Sequence, residues 1–329
     1  MTEKKLGGRE FVDLQGNPED PAWTLSHQAA REVGERRQAA REMGQHKPLE
    51  GESLFDAKEY WEQLLPTINF AVLRSVIGRQ AERSGVERPR VNFVTAEQIV
   101  LMQGVLNPIG CYDPEANLIF LDIKKLVERA RRLGLDERLS ILSTLGHEEI
   151  HAADRVECRG LRASEEAEAR QEMAESEMSG GLTSVHRLKK PGAWFSQSRT
   201  QFMAFNEGRV QTLAMEVLRD YLSRDYDFTT PEAVARFFKR QKEVESEMPY
   251  AREVKLVARV VAQVAKALGV PRATVWQGVV ASGFRGEPLD EVEMQASLEE
   301  IFFPQFVNQL AKVNSKSDIE ALLRGYSNQ

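Results

Sequence analysis

The sequence predicts a predominantly helical α+β protein. Helical spacing of apolar residues recurs along most of the 329 residues, whereas β-prone runs are short and fall within residues 91–121. One pentapeptide, His147-Glu148-Glu149-Ile150-His151, has the pattern H-E-x-x-H inside a predicted helix. The prediction is therefore a small antiparallel sheet, the helix with this motif, a second helix downstream, and a helical C-terminal part.

The composition is that of a globular protein without membrane helices. Apolar residues make up 42% of the chain and charged residues 29%. A net charge of -6 argues against broad, non-specific nucleic-acid binding. No run of 18 apolar residues exists, so no membrane contact is expected.

The ends and the cysteines indicate a cytoplasmic setting. The N-terminal MTEKKLGGREF has no apolar core, so we expect no secretory signal peptide, although secretion by a signal-free route stays open. Cys111 and Cys158 are too few for a disulfide framework. The oligomeric state is left open.

Residues 1–52 are predicted to form a polar, helix-prone arm. The segment contains an imperfect ten-residue repeat, AAREVG at 29–34 and AAREMG at 39–44. Such a segment buries little apolar surface, so it is either a solvated arm or a partner-binding arm.

The folded body is predicted to begin near residue 53 and to reach residue 225. Apolar residues at helical spacing cover 56–84, with a break or kink at Pro66. Residues 91–94 alternate as a short strand, and 96–103 have the pattern of one or two helical turns.

A hairpin and two helices follow. Asp113-Pro114 and Asn117 are turn residues between two β-prone runs, the second at 118–121. A helix over 123–132 should end at Gly134, and Asp136 is a suitable N-cap for the motif helix. Residues 163–179 predict an exposed acidic helix, 182–198 a loop, and 201–224 an apolar helix.

Residues 226–329 predict a helical C-terminal subdomain. Thr230-Pro231 is a helix start, and Gly269 ends an amphipathic helix over 254–268. Further helices are predicted at 271–280, 289–312 with a kink at Pro304, and 316–325.

The H-E-x-x-H motif indicates a zinc site. Residues four apart on a helix lie on one face, so His147 and His151 can bind one Zn²⁺. Glu148 can then serve as the general base for a water molecule. The alternative is a surface helix with two solvated histidines.

Catalytic zinc usually has a third protein ligand, and three residues are candidates. Glu207, in Asn206-Glu207-Gly208, lies near the start of the apolar helix, and Gly208 would let the two helices approach closely. Glu157 has metzincin-like spacing, but a continuing helix would carry it away from the metal. Asp154, one turn beyond His151, suits an acceptor that orients an imidazole N–H.

Together these residues resemble a gluzincin-type zinc metallopeptidase, including the compact minigluzincins, over about residues 55–225. The resemblance implies a zincin-like domain, a peptide or protein substrate, and Zn²⁺ held by His147, His151 and Glu207, with Glu148 as the base. The thermolysin branch has an Asp four residues after the ligand Glu. This chain has Gln211 there, so it is not a close thermolysin relative.

The resemblance also implies where a substrate would bind. In such enzymes an edge strand before the active-site helix pairs with an extended peptide. We therefore predict that the cleft is lined by the hairpin residues Tyr112, Leu118, Ile119 and Phe120.

Peptide hydrolysis also needs a group that stabilises the developing oxyanion. His186 is the preferred candidate, and its alternative is a solvated loop histidine. The other candidates are Tyr112, Tyr221 and Arg209.

A second pattern concerns residues 260–280. Ala265, Gly269 and Val275 fit a DNA-binding helix-turn-helix, although any two helices joined by Gly-Val-Pro would fit as well. Few basic residues are available there for phosphate contacts. A peptidase-linked transcription regulator and a non-catalytic protein on the same scaffold are thus the alternatives to a metallopeptidase.

Overall fold

A computed structural model describes most of the chain from residue 56 onward. The described residues are 9–12, 56–86, 93–101, 109–113, 117–154, 156–161, 174–180, 182–189, 197–225, 227–287, 289, 292–313 and 315–325. The rest of the predicted 1–52 arm, including its repeat, lies outside them.

Helices dominate the described part, as predicted. They are α1 (Ala57–Leu64), α2 (Phe70–Arg83), α3 (Ile123–Leu133), α4 (Glu137–Ala153), α5 (Met203–Leu222), α6 (Pro231–Glu243), α7 (Ala251–Leu268), α8 (Arg272–Arg285), α9 (Val292–Ile301), α10 (Phe306–Lys312) and α11 (Lys316–Gly325). The strands are β1 (Arg9–Val12), β2 (Ile99–Leu101), β3 (Gly110–Asp113), β4 (Leu118–Leu121), β5 (Val156–Leu161), β6 (Ala174–Gly180), β7 (Thr183–Lys189) and β8 (Gln197–Gln201).

A three-stranded sheet precedes the motif helix α4. The predicted hairpin is confirmed as β3 and β4, which pair antiparallel with Gly110 opposite Leu121. The sheet is mixed rather than antiparallel, because β2 joins β4 in parallel and gives the order β2-β4-β3. Of the helix predicted over 96–103, Ala96–Gln98 form a single 3₁₀ turn, the prediction is wrong for 99–101, which form β2, and 102–103 lie outside the described residues. Phe93 and Val94 of the predicted 91–94 strand are not in a strand, and 91–92 lie outside the described residues.

The helix ends around α4 are as predicted. Gly134 adopts a left-handed conformation, with φ 64°, and closes α3. The Asp136 carboxylate accepts a hydrogen bond from the Leu139 N–H at 2.9 Å and caps α4. The apolar back of α4, including Ile141, Leu142 and Leu145, is buried against α2, α3 and α5. This packing fixes which face of α4 is left for the two histidines.

Four strands between α4 and α5 in the chain join β1 in a five-stranded antiparallel sheet. Its order is β1-β5-β6-β7-β8, and part of the N-terminal arm thus supplies an edge strand. The exposed helix predicted over 163–179 is wrong for 174–179, which belong to β6, and the loop predicted over 182–198 is wrong for β7. Pairing with neighbouring strands outweighs the helix propensity of the Glu- and Ala-rich segment. The loop prediction is also wrong for Gln197 and Ser198, which belong to β8, whereas Leu182 lies outside any strand, as predicted. Residues 163–173 and 190–196 lie outside the described part of the chain.

The C-terminal helices build a second apolar cluster beside the first. It contains Val257 and Val260 of α7, Phe306 of α10, and Phe202 and Phe205 from the start of α5. Pro304 lies between α9 and α10, where the predicted kink is a complete break. Because α5 contributes to both clusters, the C-terminal helices are anchored directly on the helix that carries Glu207.

Residues 260–280 form the predicted helix pair, α7 and α8, joined at Gly269 with φ 66°. Arg272 and Gln277 are exposed, whereas Val280 and Phe284, further along α8, are buried. The second helix is therefore partly built into the protein core.

Candidate metal centre

Three predicted ligands meet at one point between α4 and α5. His147 and His151 occupy the last two turns of α4, and Glu207 lies in the first turns of α5. The Nε2 atoms of the two imidazoles are 3.2 Å apart. Glu207 Oε2 is 3.2 Å from His147 Nε2, and Oε1 is 3.5 Å from His151 Nε2. Among the described His, Cys, Asp and Glu side chains, these three have ligand atoms close enough to one another to hold one metal ion.

These distances suit a tetrahedral ion. Metal–ligand bonds of about 2.0–2.1 Å require ligand atoms roughly 3.3 Å apart at the corners of a tetrahedron. Two imidazole nitrogens and one carboxylate oxygen are also the donor set that Zn²⁺ takes in His₂Glu sites, with one position left open. The three residues therefore fit zinc both in spacing and in chemistry.

Gln211 orients one of the ligands. It lies one turn after Glu207 on α5, and its Oε1 is 3.0 Å from His147 Nδ1. An amide oxygen only accepts hydrogen bonds, so Nδ1 donates, and a neutral His147 imidazole then has its Nε2 lone pair available for a metal ion. The residue that departs from the thermolysin pattern thus has a direct role in this site.

Glu207 is held in its charged form. Burial acts to raise its pKa, but the charge of His151 and hydrogen bonds from both imidazoles outweigh burial and bring the pKa well below its usual range. An ionised carboxylate is the form that binds a cation. The predicted position of Glu207 beside the two histidines is therefore confirmed.

Glu148 lies beside this group, beneath strand β3. Burial raises the pKa of Glu148 to about 7, Glu207 adds to the rise, and His147 and the Tyr112 N–H oppose it. A Cβ atom at Gly110 would be 2.7 Å from Glu148 Oε1, so glycine lets the strand lie directly against this carboxylate. A carboxyl group with a pKa near neutrality is suited to accept and return a proton.

Sequence reasoning missed Tyr250. Its ring stacks on His147 with centroids 5.1 Å apart and planes 9° apart, and its hydroxyl lies within hydrogen-bonding reach of Glu207. Burial, followed by the nearby carboxylates Glu207 and Glu148, raises the pKa of Tyr250, so the phenol stays protonated. Tyr250 precedes α7 and belongs to no recognisable local motif.

Gly208 explains how Tyr250 reaches the site. A Cβ atom at Gly208 would be 2.2 Å from the Glu253 carbonyl oxygen on α7. The close approach predicted for this glycine is therefore real, but it joins α5 to α7 rather than to α4. Tyr250 is the N-cap residue of α7, so this contact sets its position.

Asp154 does not orient an imidazole, contrary to the prediction. Helix α4 ends at Ala153, and Asp154 has an extended conformation as its C-cap. Its carboxylate pairs with Arg209 of α5 through Oδ2, and Oδ1 has no hydrogen-bond partner among the described residues. Glu157, the rejected metzincin-like candidate, lies in β5 and not on a continuing helix.

The side chains predicted as oxyanion-stabilising candidates have hydrogen-bond or ion-pair partners other than the three predicted ligands, where they are described. Tyr221 is fully buried and donates to Asp225 Oδ2 at 2.5 Å. Arg209 is fully buried against Asp154, and the Tyr112 hydroxyl donates to Asn117 Oδ1 at 3.0 Å. The backbone of His186 lies in β7, opposite Glu177 and Arg199, and its side chain lies outside the described part of the structure.

The predicted peptide-binding residues need correction. Leu118, Ile119 and Phe120 belong to β4, the central strand, which is paired on both sides and cannot take a further strand. β3 is the edge strand beside Glu148. Asp122 N–H donates to the Ile109 carbonyl at 2.8 Å, so the main-chain groups of Gly110 and Tyr112 point the other way, towards Glu148. Of the four predicted residues, only Tyr112 lies on this edge.

Comparisons with protein-family models, curated proteins and solved structures found no significant match to this chain. In the described helices, no segment is both long enough and apolar enough to span a membrane. Conclusions about function therefore rest on the geometry of the centre.

Glu149, the residue after Glu148, has a structural role with a testable consequence. It is fully buried, and its Oε2 accepts the Val94 N–H at 3.1 Å, while Oε1 has no hydrogen-bond partner among the described residues. Burial raises the pKa of Glu149 to about 8 from 4.5. The neutral acid is thus favoured in the folded state, and its contribution to stability is lost as the pH rises from about 4.5 through about 8.

We expect Glu149→Gln, which cannot ionise, to be more stable than the wild type at pH 9 by on the order of a few kcal/mol. At pH 4.5 the two proteins should be similarly stable. Urea unfolding at pH 4.5, 7 and 9 measures this difference, with the exposed Glu62→Gln as a control without pH-dependent effect. An equal stability difference at all three pH values would contradict the prediction.

Proposed function

We propose that the protein is a zinc-dependent metallopeptidase of gluzincin type, with a zincin-like domain. The observation that carries the proposal is the convergence of His147, His151 and Glu207 at tetrahedral spacing, with Glu148 and Tyr250 beside them. This set combines three ligands, a general base near neutrality and a protonated phenol. A purely structural zinc site needs neither of the last two groups.

Each residue has a defined part in the proposed reaction. Zinc, when bound, supplies Lewis acidity and lowers the pKa of a water molecule. Glu148 accepts a proton from the attacking water and passes it to the leaving amine. Tyr250 donates a hydrogen bond to the carbonyl oxygen as negative charge builds there. Strand β3 offers an edge on which an extended peptide can be held next to Glu148.

Metal analysis and peptide hydrolysis test this proposal together. Purified protein should contain about one zinc per chain, and chelation should abolish cleavage of a mixed peptide library, with recovery on adding zinc. Glu207→Gln should lose zinc affinity by more than the roughly 10- to 100-fold typical of groups that only orient a ligand. Glu62→Gln, at an exposed position of α1, should retain both zinc and activity.

The two alternatives predict different results. A protein that binds one zinc per chain but cleaves nothing in the library would be a non-catalytic protein on the same scaffold. A salt-dependent shift of DNA that Arg272→Ala abolishes would favour the transcription regulator. The exposed N-terminal half of α8 has Arg272 as its one cation, so DNA binding has less support than the metal centre.

A further inference from the structure

A buried ion pair joins the two helices that bear the metal ligands. Arg209 Nη2 donates to Asp154 Oδ2, and Arg209 Nε and Nη2 also donate to Asn206 Oδ1 at 3.1 and 3.0 Å. Asn206 Oδ1 in addition accepts the Leu182 N–H at 3.3 Å. One cluster therefore ties the end of α4, the start of α5 and the residue before β7.

Stability alone does not account for this pair. Arg209 is 0% exposed, and Asp154 and Asn206 are each 3% exposed. Removing two charges from water costs about as much as their attraction returns, and apolar side chains of similar volume are often equally or more stabilising. Arg209 Nη1 and Asp154 Oδ1 also lack hydrogen-bond partners among the described residues. What an ion pair adds over apolar packing is a fixed distance and direction between two backbones.

Asp154 and Arg209 each lie close in sequence to a proposed metal ligand. Asp154 comes three residues after His151, and Arg209 comes two residues after Glu207. A slip of one helical turn would move Glu207 by about 5.4 Å along α5. Metal sites tolerate errors of about 0.2 Å in ligand distance. The ion pair lies within one helical turn of both His151 and Glu207. It is therefore placed where it constrains the distance between these two ligands most.

Helix α8 closes the pocket around the guanidinium. A Cβ atom at Gly283 would be 2.2 Å from Arg209 Nη1 and 2.3 Å from Cζ. Glycine is required there because the flat guanidinium lies against the α8 backbone. The C-terminal helices thus contact the ion pair through Gly283, and contribute Tyr250 to the centre through α7.

We infer that Asp154 and Arg209 are a positioning pair that sets the spacing of α4 and α5 and so determines metal affinity and coordination geometry. This inference rests on the proposed metal site. The pair therefore determines how the metal is bound more than how stable the fold is.

The double variant Asp154→Leu/Arg209→Met tests the inference, because it removes both charges and leaves apolar side chains of similar length. We expect a folded protein whose zinc affinity, measured by chelator competition, falls about 10- to 100-fold. The visible spectrum of the Co²⁺-substituted protein should also change, since its intensity reports coordination geometry. The control is Glu137→Leu/Arg131→Met, which removes a 2.7 Å ion pair at the partly exposed start of α4 and should leave affinity and spectrum unchanged.

Wild-type zinc affinity and Co²⁺ spectrum in the folded double variant would overturn the inference. If that variant does not fold, Gly283→Ala decides, because it keeps both charges and displaces the guanidinium. Gly283→Ala should weaken zinc binding and alter the Co²⁺ spectrum, and unchanged values would overturn the inference. Failure of the proposed function is a separate result, since the wild type itself would then bind no zinc or cleave no peptide.

Discussion

Replacing Glu148 by Gln should lower kcat/KM for peptide hydrolysis by about 10²- to 10⁴-fold while zinc stays bound. The amide has nearly the shape of the carboxylate, but it cannot accept a proton from water. None of the three ligands changes, so zinc content should stay near one per chain. Steady-state kinetics on one library-derived peptide, together with metal analysis of the same samples, measure both quantities.

The pH profile provides a second measure of the same residue. Without metal, the pKa of Glu148 is raised by burial to about 7. A bound cation favours the carboxylate, so the acidic limb of kcat/KM should lie at or below pH 7, with activity lost as the pH falls. Residual activity of Glu148→Gln should lack this limb.

Glu149→Gln is the matched control, because it makes the same chemical change at the adjacent residue. Its carboxylate faces Val94 and not the ligand group. At pH 6 this variant should retain wild-type kcat/KM. Equal loss of activity in both variants would show that the helix, and not the base, had been disturbed.

Most of the predicted metal centre could be predicted from the sequence. His147 and His151 follow from the 3.6-residue helical period, Glu148 from the H-E-x-x-H motif, and Glu207, on a second helix, from its place on an apolar helix. Asp154 shows the limit of this reasoning. The same period places it below the histidines only if α4 continues, and its extended backbone turns it to Arg209 instead.

Pairing between distant segments could not be predicted in the same way. The short apolar run at 118–121 predicts a strand, but its central place in the sheet depends on β2, which pairs with it from earlier in the chain. Acidic residues 174–179 favour a helix locally and form a strand because β5 and β7 flank them. In both cases the deciding hydrogen bonds come from other segments.

Tyr250 is the clearest case, since only tertiary packing brings it to His147. Gly208 marks a close helix contact in the sequence, but nothing local shows that its partner is the backbone of Glu253. The left-handed conformation of Tyr250, with φ 57°, is uncommon for a tyrosine. Such a conformation persists where the surroundings hold it in place, and here they direct the ring onto His147.

Tyr250→Phe should lower kcat by about 10²- to 10³-fold, the usual cost of removing one donor to an oxyanion. The ring remains, so its stacking on His147 should persist and zinc affinity should stay within about threefold. KM should change little, because the lost hydrogen bond forms mainly as charge develops on the carbonyl oxygen. The raised pKa of Tyr250 keeps the hydroxyl protonated, so the loss should be the same from pH 6 to pH 9.

Tyr221→Phe separates this effect from the general cost of removing a buried hydroxyl. The Tyr221 hydroxyl donates to Asp225 and accepts the Asn69 N–H at 2.8 Å, away from the ligand group. That variant should melt at a lower temperature and keep its kcat. A Tyr250→Phe enzyme with wild-type kcat would exclude the phenol from the reaction. Loss of zinc in step with loss of kcat would instead mean that the hydroxyl acts by orienting Glu207, with which it lies in hydrogen-bonding reach.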